Sequence, residues 1–340
     1  MRKKRTFHRK MIASMAWCAA SLAAVYGYWL VMTNFVIRDF WDPTYVQKME
    51  LLKARLAEYP GRPLWLVLGS SHVHDALAPE ALPEKINDGK SPLLFNFGSS
   101  GADLFYQLVC LRRLLAEGIK PGRVGLEFDP MLNGDYSEFA GNPALIPRAR
   151  RDELDDFLAN SKDPAALRGT WLDSRWNPFF EYGMRAPGQA LVLRLVPFLS
   201  RLEDRPGSKW GWYQVAAPHP SKEKFEAMLP KKESPDVIRP PLMPNADRAL
   251  RGMIALCEQK GIAVFLLRTP EAEGARESHS PKSETDVQQY LDALARDHHV
   301  QIIDTRAWMT DDEFFDPHHL DATGAVRFTQ KLAGILYPAQ

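Results

Sequence analysis

"LWLVLGSSHVHD", residues 64–75, sets five apolar residues directly against two serines and two histidines. The apolar run is short, rich in Leu and Val, and bounded by Pro63 and Gly69, which is the pattern of a fully buried strand. Small hydroxyl residues are common both in turns and at helix starts, so the stretch alone does not say what the serines do. Its pattern recurs, however. Apolar runs at residues 63–68, 93–97, 124–128, 262–267 and 300–303 read as five strands. The helical stretches "DLFYQLVCLRRLLAEG", "NADRALRGMIALCEQKG" and "ETDVQQYLDALARDHH" introduce the last three, and a final helix covers residues 323–336. Strands alternating with helices imply βαβ units, hence an α/β fold: a three-layer α/β/α sandwich around a mainly parallel five-stranded sheet. In such sheets ligands sit beyond the carboxyl ends of the strands.

The amino terminus is of another kind. Six of the first ten residues, MRKKRTFHRK, are Lys or Arg, and residues 11–37 carry no charged side chain. That run exceeds the ~20 residues a membrane span needs and the ~7–15 of a signal-peptide core. With Tyr26, Tyr28 and Trp29 near its outer end, it reads as an uncleaved transmembrane anchor. The basic flank places residues 1–10 in the cytoplasm and exports everything after about residue 38, into the periplasm if the cell has two membranes. The rest of the chain holds 37 Lys and Arg against 42 Asp and Glu. This acidic balance offers no field for nucleic acid.

A helix over residues 42–59, with Val46, Met49, Leu52 and Leu56 at helical spacing, reads as a juxtamembrane stalk within residues 38–60. The domain then occupies residues 61–340. Between its third and fourth strands lies a Pro-rich stretch, about residues 130–245, too long for a bare loop and expected to be a helical insertion. Its tryptophans, among them Trp171, Trp176, Trp210 and Trp212, either pack its core or stack on a ligand. Cys18, Cys110 and Cys257 form no disulfide framework and no metal spacing. The last two read as buried thiols.

Three polar segments fall at or just beyond the carboxyl ends of strands: Gly69-Ser70-Ser71, "FNFGSSGAD" (residues 95–103) and "FFDPHHLDATGA" (residues 314–325). A serine needs a base to take its proton, and the base needs a carboxylate to fix its tautomer. Asp316-Pro317-His318-His319 holds both in one tight turn. The plainer readings are that Ser70 and Ser71 cap a helix and that the histidines lie at the surface or in turns. His72 and His74 with Asp75 also make a zinc-like pattern, but no third ligand cluster accompanies them. No metal or cofactor is expected.

These blocks resemble those of the SGNH (GDSL-like) hydrolase superfamily. The GSS form and the anchored amino terminus are similar to its branch that includes the D-alanyl transfer protein DltD and the alginate O-acetylation proteins AlgJ and AlgX. The match covers short blocks between about residues 64 and 337, with the insertion unmatched. The resemblance implies a flavodoxin-like layer order, Ser71 as nucleophile, His319 as general base and Asp316 as its orienting acid. It also implies an oxyanion hole from the N–H groups of Ser71 and Gly101. The family's third block, a Gly-x-Asn, is not evident: after the third strand stands "LEFDPMLNGD", where Asn133 is displaced from the expected place.

A Ser-His-Asp set on an exported, anchored domain implies acyl chemistry through an acyl-serine. Transfer to a hydroxyl of a cell-envelope or exported polysaccharide would make the chain an O-acyltransferase. The resemblance implies a membrane-bound O-acyltransferase as partner. Transfer to water would make it an esterase or deacetylase of envelope glycans. A silent polysaccharide-binding scaffold is the reading from another class.

Overall fold

The computed structural model describes residues 2–36, 41–82, 91–130, 143–159, 161, 163–176, 208–214, 219–233 and 241–337. The chain opens with helix α1 (Arg2–Val31). Its segment His8–Val31 is long and apolar enough to cross a membrane, with a mean hydropathy of 1.3 and none of that window buried inside the protein. Helix α2 (Pro43–Glu58) follows, with the Asp42 side chain accepting the Tyr45 N–H at its start.

Then comes the alternation the apolar runs announce: β1 (Leu64–Leu68), α3 (Ser71–Ala76), β2 (Leu93–Asn96), α4 (Leu104–Ala116) and β3 (Arg123–Glu127). Within the insertion span lie α5 (Pro164–Trp176) and the shorter helices Leu154–Ala159 and Lys222–Met228. Residues 177–207 of the expected helical insertion lie outside the described residues. The sheet resumes with α6 (Pro244–Gln259), β4 (Ala263–Arg268), α7 (Pro281–His298) and β5 (Gln301–Asp304). A small hairpin, β6 (Phe314–Asp316) and β7 (His319–Leu320), leads into α8 (Ala322–Leu336).

All five strands of the main sheet are parallel, in the order β2-β1-β3-β4-β5. The order reverses between β1 and β3, so the crevice above their carboxyl ends is where such sheets place ligands.

Strand side chains alternate between faces, and each face has its own core. Leu66, Leu68, Phe95, Val124 and Leu266 bury one face under α2, α4, α6 and α7. Val67, Leu94, Phe265, Leu267 and Ile303 bury the other under α3 and α8. Each such side chain contributes roughly 1.5–3 kcal/mol of transfer free energy when fully buried. The helix expected as a stalk is part of the first core, since Tyr45, Met49 and Leu52 are packed into it. Its apolar face has the sheet as a partner, so burial wins over projection into water. Buried Arg113 of α4 ties this layer together, donating to Asp42 at 2.6 Å and to Glu153 at 2.6 Å. Cys110 and Cys257 are buried free thiols. Of the insertion's tryptophans, Trp171 and Trp212 are buried, and Trp210 stacks on Tyr59 at 5.7 Å. Trp176 is 53% exposed.

Candidate active site

The end of β1 is built for close approach. A Cβ on Gly69 would sit 2.4 Å from Val73 Cγ2 and 2.7 Å from Glu127 Oε2, so the first position of Gly-Ser-Ser admits no side chain. The two serines then divide two jobs. Ser70 is the N-cap of α3, its Oγ accepting the His72 N–H at 3.1 Å. Ser71 is the first residue of the helix proper, where its own N–H has no intrahelical acceptor. Its hydroxyl lies 2.8 Å from His319 Nε2.

His319 arrives by a two-residue hairpin. Asp316 and His319 are paired directly across β6 and β7, with Pro317 and His318 as the loop between them. Asp316 Oδ1 accepts the backbone N–H groups of His318 and His319, each at 2.9 Å, and both carboxylate oxygens lie 2.9 Å from His319 Nδ1. Burial works to raise the Asp316 pKa, but the hydrogen bond and charge of His319 and these two N–H groups hold it below the usual carboxylate value. Asp316, His319 and Ser71 thus line up in one relay, with the His319 side chain 21% exposed. His318 points elsewhere, its ring stacked 5.8 Å from that of His72. Burial and the charge of His72 lower the His318 pKa.

His72 and His74 do not share a site. His74 Nδ1 pairs with Asp75 at 2.9 Å and its ring stacks on Tyr213 at 4.9 Å. Burial and then the charge of Lys48 push its pKa down to about 4. His72 Nδ1 instead reaches Glu127 Oε1 at 3.2 Å, in the last residue of β3, and Asp129 Oδ2 at 3.3 Å, two residues past it. Burial opposes the charged ring, but these two carboxylates overcome it and raise the His72 pKa well above 6.5. The His72 ring also meets the His319 ring edge-on at 4.9 Å. One ligand atom each from His72, Glu127 and Asp129 lie within 4.8 Å of one another, a grouping able to hold a metal ion. As built, the His72 ring is hydrogen-bonded through Nδ1 to both carboxylates. Glu127 also accepts the Ser70 N–H and, at 3.1 Å, the Ser70 hydroxyl, so a metal would have to displace the His72 proton from a satisfied carboxylate.

Gly101 occupies the third position of a turn closed by the Ala102 N–H on the Ser99 carbonyl at 3.0 Å, and its φ of +73° is one that glycine adopts freely. The Ser99 N–H donates to the Gly69 carbonyl at 2.8 Å, which fastens this turn beside the serines. Asp103, two residues on, is the N-cap of α4. Asn133 lies outside the described residues.

The structure therefore brings Ser71, His319 and Asp316 into contact and sets the Gly101 turn next to them. Sequence reading missed Glu127 and Asp129. A signal was present in "VGLEFDP": a glutamate at the end of an otherwise apolar buried strand needs a buried partner.

No curated protein matches the chain. One family profile matches residues 244–337, a span short of half the chain. Among solved structures, a protein of the G-D-S-L family from Desulfitobacterium hafniense superposes with a TM-score of 0.36 and 9% identity, covering 79% of this chain and 96% of that one. A carbohydrate acetylesterase from Sinorhizobium meliloti gives a TM-score of 0.36 and 11% identity over 81% of this chain and 98% of its own. A GDSL-like lipase from Bacteroides thetaiotaomicron gives a TM-score of 0.35 and 8% identity, with 87% and 100% covered.

Proposed function

We propose that the chain is a membrane-anchored serine O-acyltransferase that modifies a hydroxyl of an extracytoplasmic polysaccharide through an acyl-serine intermediate. The observation that carries this reading is the continuous hydrogen-bond path from Asp316 through His319 to Ser71, at 2.9 and 2.8 Å.

In the first half-reaction the Ser71 oxygen attacks the carbonyl carbon of an acyl ester while His319 Nε2 takes its proton. Asp316 holds the Nδ1 proton and stabilises the imidazolium that forms. The tetrahedral oxyanion is met by the N–H groups of Ser71 and Gly101. Collapse breaks the ester C–O bond, and the leaving alkoxide takes the proton from His319. In the second half-reaction His319 deprotonates the incoming hydroxyl, which attacks the acyl-serine and releases Ser71 with its proton restored. The His72 ring, held by Glu127 and Asp129, packs the His319 ring from the side.

Water in place of the sugar hydroxyl gives the esterase reading, which uses the same residues. Transfer is favoured by the apolar helix α1, which would hold the site beside a membrane where a membrane-bound O-acyltransferase partner delivers the acyl group. The resemblance to the D-alanyl transfer and alginate O-acetylation proteins points the same way. The test is polymer acylation in cells that express wild type or Ser71→Ala at equal level. Loss of acyl groups in the variant supports transfer, a rise in acyl groups supports the esterase, and no change returns the chain to a scaffold.

A further inference from the structure

A cavity of about 110 Å³ opens where α1 gives way to the domain. It has room for one small anion. Phe35, Trp41 and Trp171 form its apolar walls, and Arg151 and Arg175 supply its charge, while Arg150, also in the lining, pairs with Glu117 at 3.6 Å. Among the described residues, no carboxylate lines it.

Arg175 is the unusual member. The residue is 4% exposed, and its guanidinium lies between two indoles, 4.5 Å from the Trp41 ring and 4.9 Å from the Trp171 ring. Nη2 donates to the Ala149 carbonyl at 2.7 Å, while Nη1 is buried without a hydrogen-bond partner among the described residues. Among the described residues, the carboxylate that acts on Arg175 is Asp42, which is already committed to Arg113 at 2.6 Å. Burial and the neighbouring Arg113 charge push the Arg175 pKa down to about 9. Arg151 is exposed and stands over the Phe35 ring at 5.5 Å. A buried guanidinium with no anion is costly, and its fork of N–H donors matches a phosphate oxygen pair.

We propose that this cavity binds a phosphoryl group, as carried by an anionic phospholipid headgroup or by free phosphate. Its place supports the headgroup source. Asn34 and Phe35, which line it, follow directly on the membrane-length apolar helix, so the cavity would lie at headgroup depth among interfacial aromatics. The site is independent of the acyl chemistry at Ser71.

The test uses the full chain purified in a sugar-headed neutral detergent. Dihexanoyl phosphatidylglycerol and inorganic phosphate are titrated separately at fixed ionic strength, read by tryptophan fluorescence and thermal midpoint. Wild type should give a saturable fluorescence change and a rise in midpoint. Arg175→Gln should weaken binding at least tenfold, and Arg151→Gln several-fold. Binding of the lipid at least tenfold tighter than phosphate assigns the headgroup; equal binding assigns the free anion. If Arg175→Gln loses cooperative unfolding, Arg151→Gln carries the test. No saturable response to either probe, or a response unchanged in the folded variants, overturns the proposal. Fluorophosphonate labelling of Ser71 in the same samples reports separately on the acyl site.

Discussion

Asp316 and His319 face each other across a two-residue hairpin, and this places both carboxylate oxygens 2.9 Å from His319 Nδ1. The three-residue offset is thus a cross-strand pair. The carboxylate and the imidazole sit on one face of β6 and β7, while the loop residue His318 is turned away onto His72. His319→Ala and His318→Ala should therefore behave differently. The first should abolish ester turnover and the second should retain most of it, measured with a chromogenic acyl ester. Asp316→Asn should lose on the order of 10³–10⁴-fold in rate, because the imidazole loses its tautomer and its counter-charge. Full activity in His319→Ala would sink the assignment.

The adjacent serines should separate chemistry from stability. Ser71→Ala should lose labelling by a fluorophosphonate probe while keeping its thermal midpoint. Ser70→Ala should stay labelled but lose about 1–2 kcal/mol of stability, since it removes both the α3 cap and a buried bond to Glu127. Denaturant unfolding of the two variants checks the second half, and a reversed pattern would overturn the division.

The pairing of His72 with Glu127 and Asp129 gives a pH signature. Its folded pKa lies above the unfolded 6.5, so the pairing contributes stability that is fully present below about 6.5 and lost as pH rises through the raised value. The stability advantage of wild type over His72→Gln should be largest near pH 6 and shrink as the solution becomes alkaline, as read from urea midpoints across pH. An advantage that grows with pH would contradict a charged His72.

The apolar helix should behave as an anchor with its amino terminus inside. The protein should stay with membranes after a high-salt wash, and a carboxyl-terminal reporter active only outside the cytoplasm should be active. Recovery of a soluble form beginning near residue 30–40 would show cleavage instead.

Local pattern by itself determined the sheet. Each of the five apolar runs became a strand within a residue or two of its expected ends, because strands covered on both faces are largely apolar, and even the edge strand β5, with Gln301 and Asp304 exposed, keeps Ile302 and Ile303 at its centre. The Asp-x-x-His block was legible for the same reason: its geometry is set by a hairpin four residues long. Ser71 and His319 are 248 residues apart, and no local pattern states that β1 and the final hairpin meet. The blocks were linked only through the rule that ligands gather at strand ends. Tertiary structure decided which serine caps and which faces the base, since that depends on where α3 begins. It also decided that His72 turns to Glu127 and Asp129 rather than to His74, and that α2 packs on the sheet. Those outcomes depend on buried charges finding partners from distant strands and on apolar faces finding cover, which are properties of the assembled core rather than of any one stretch of chain.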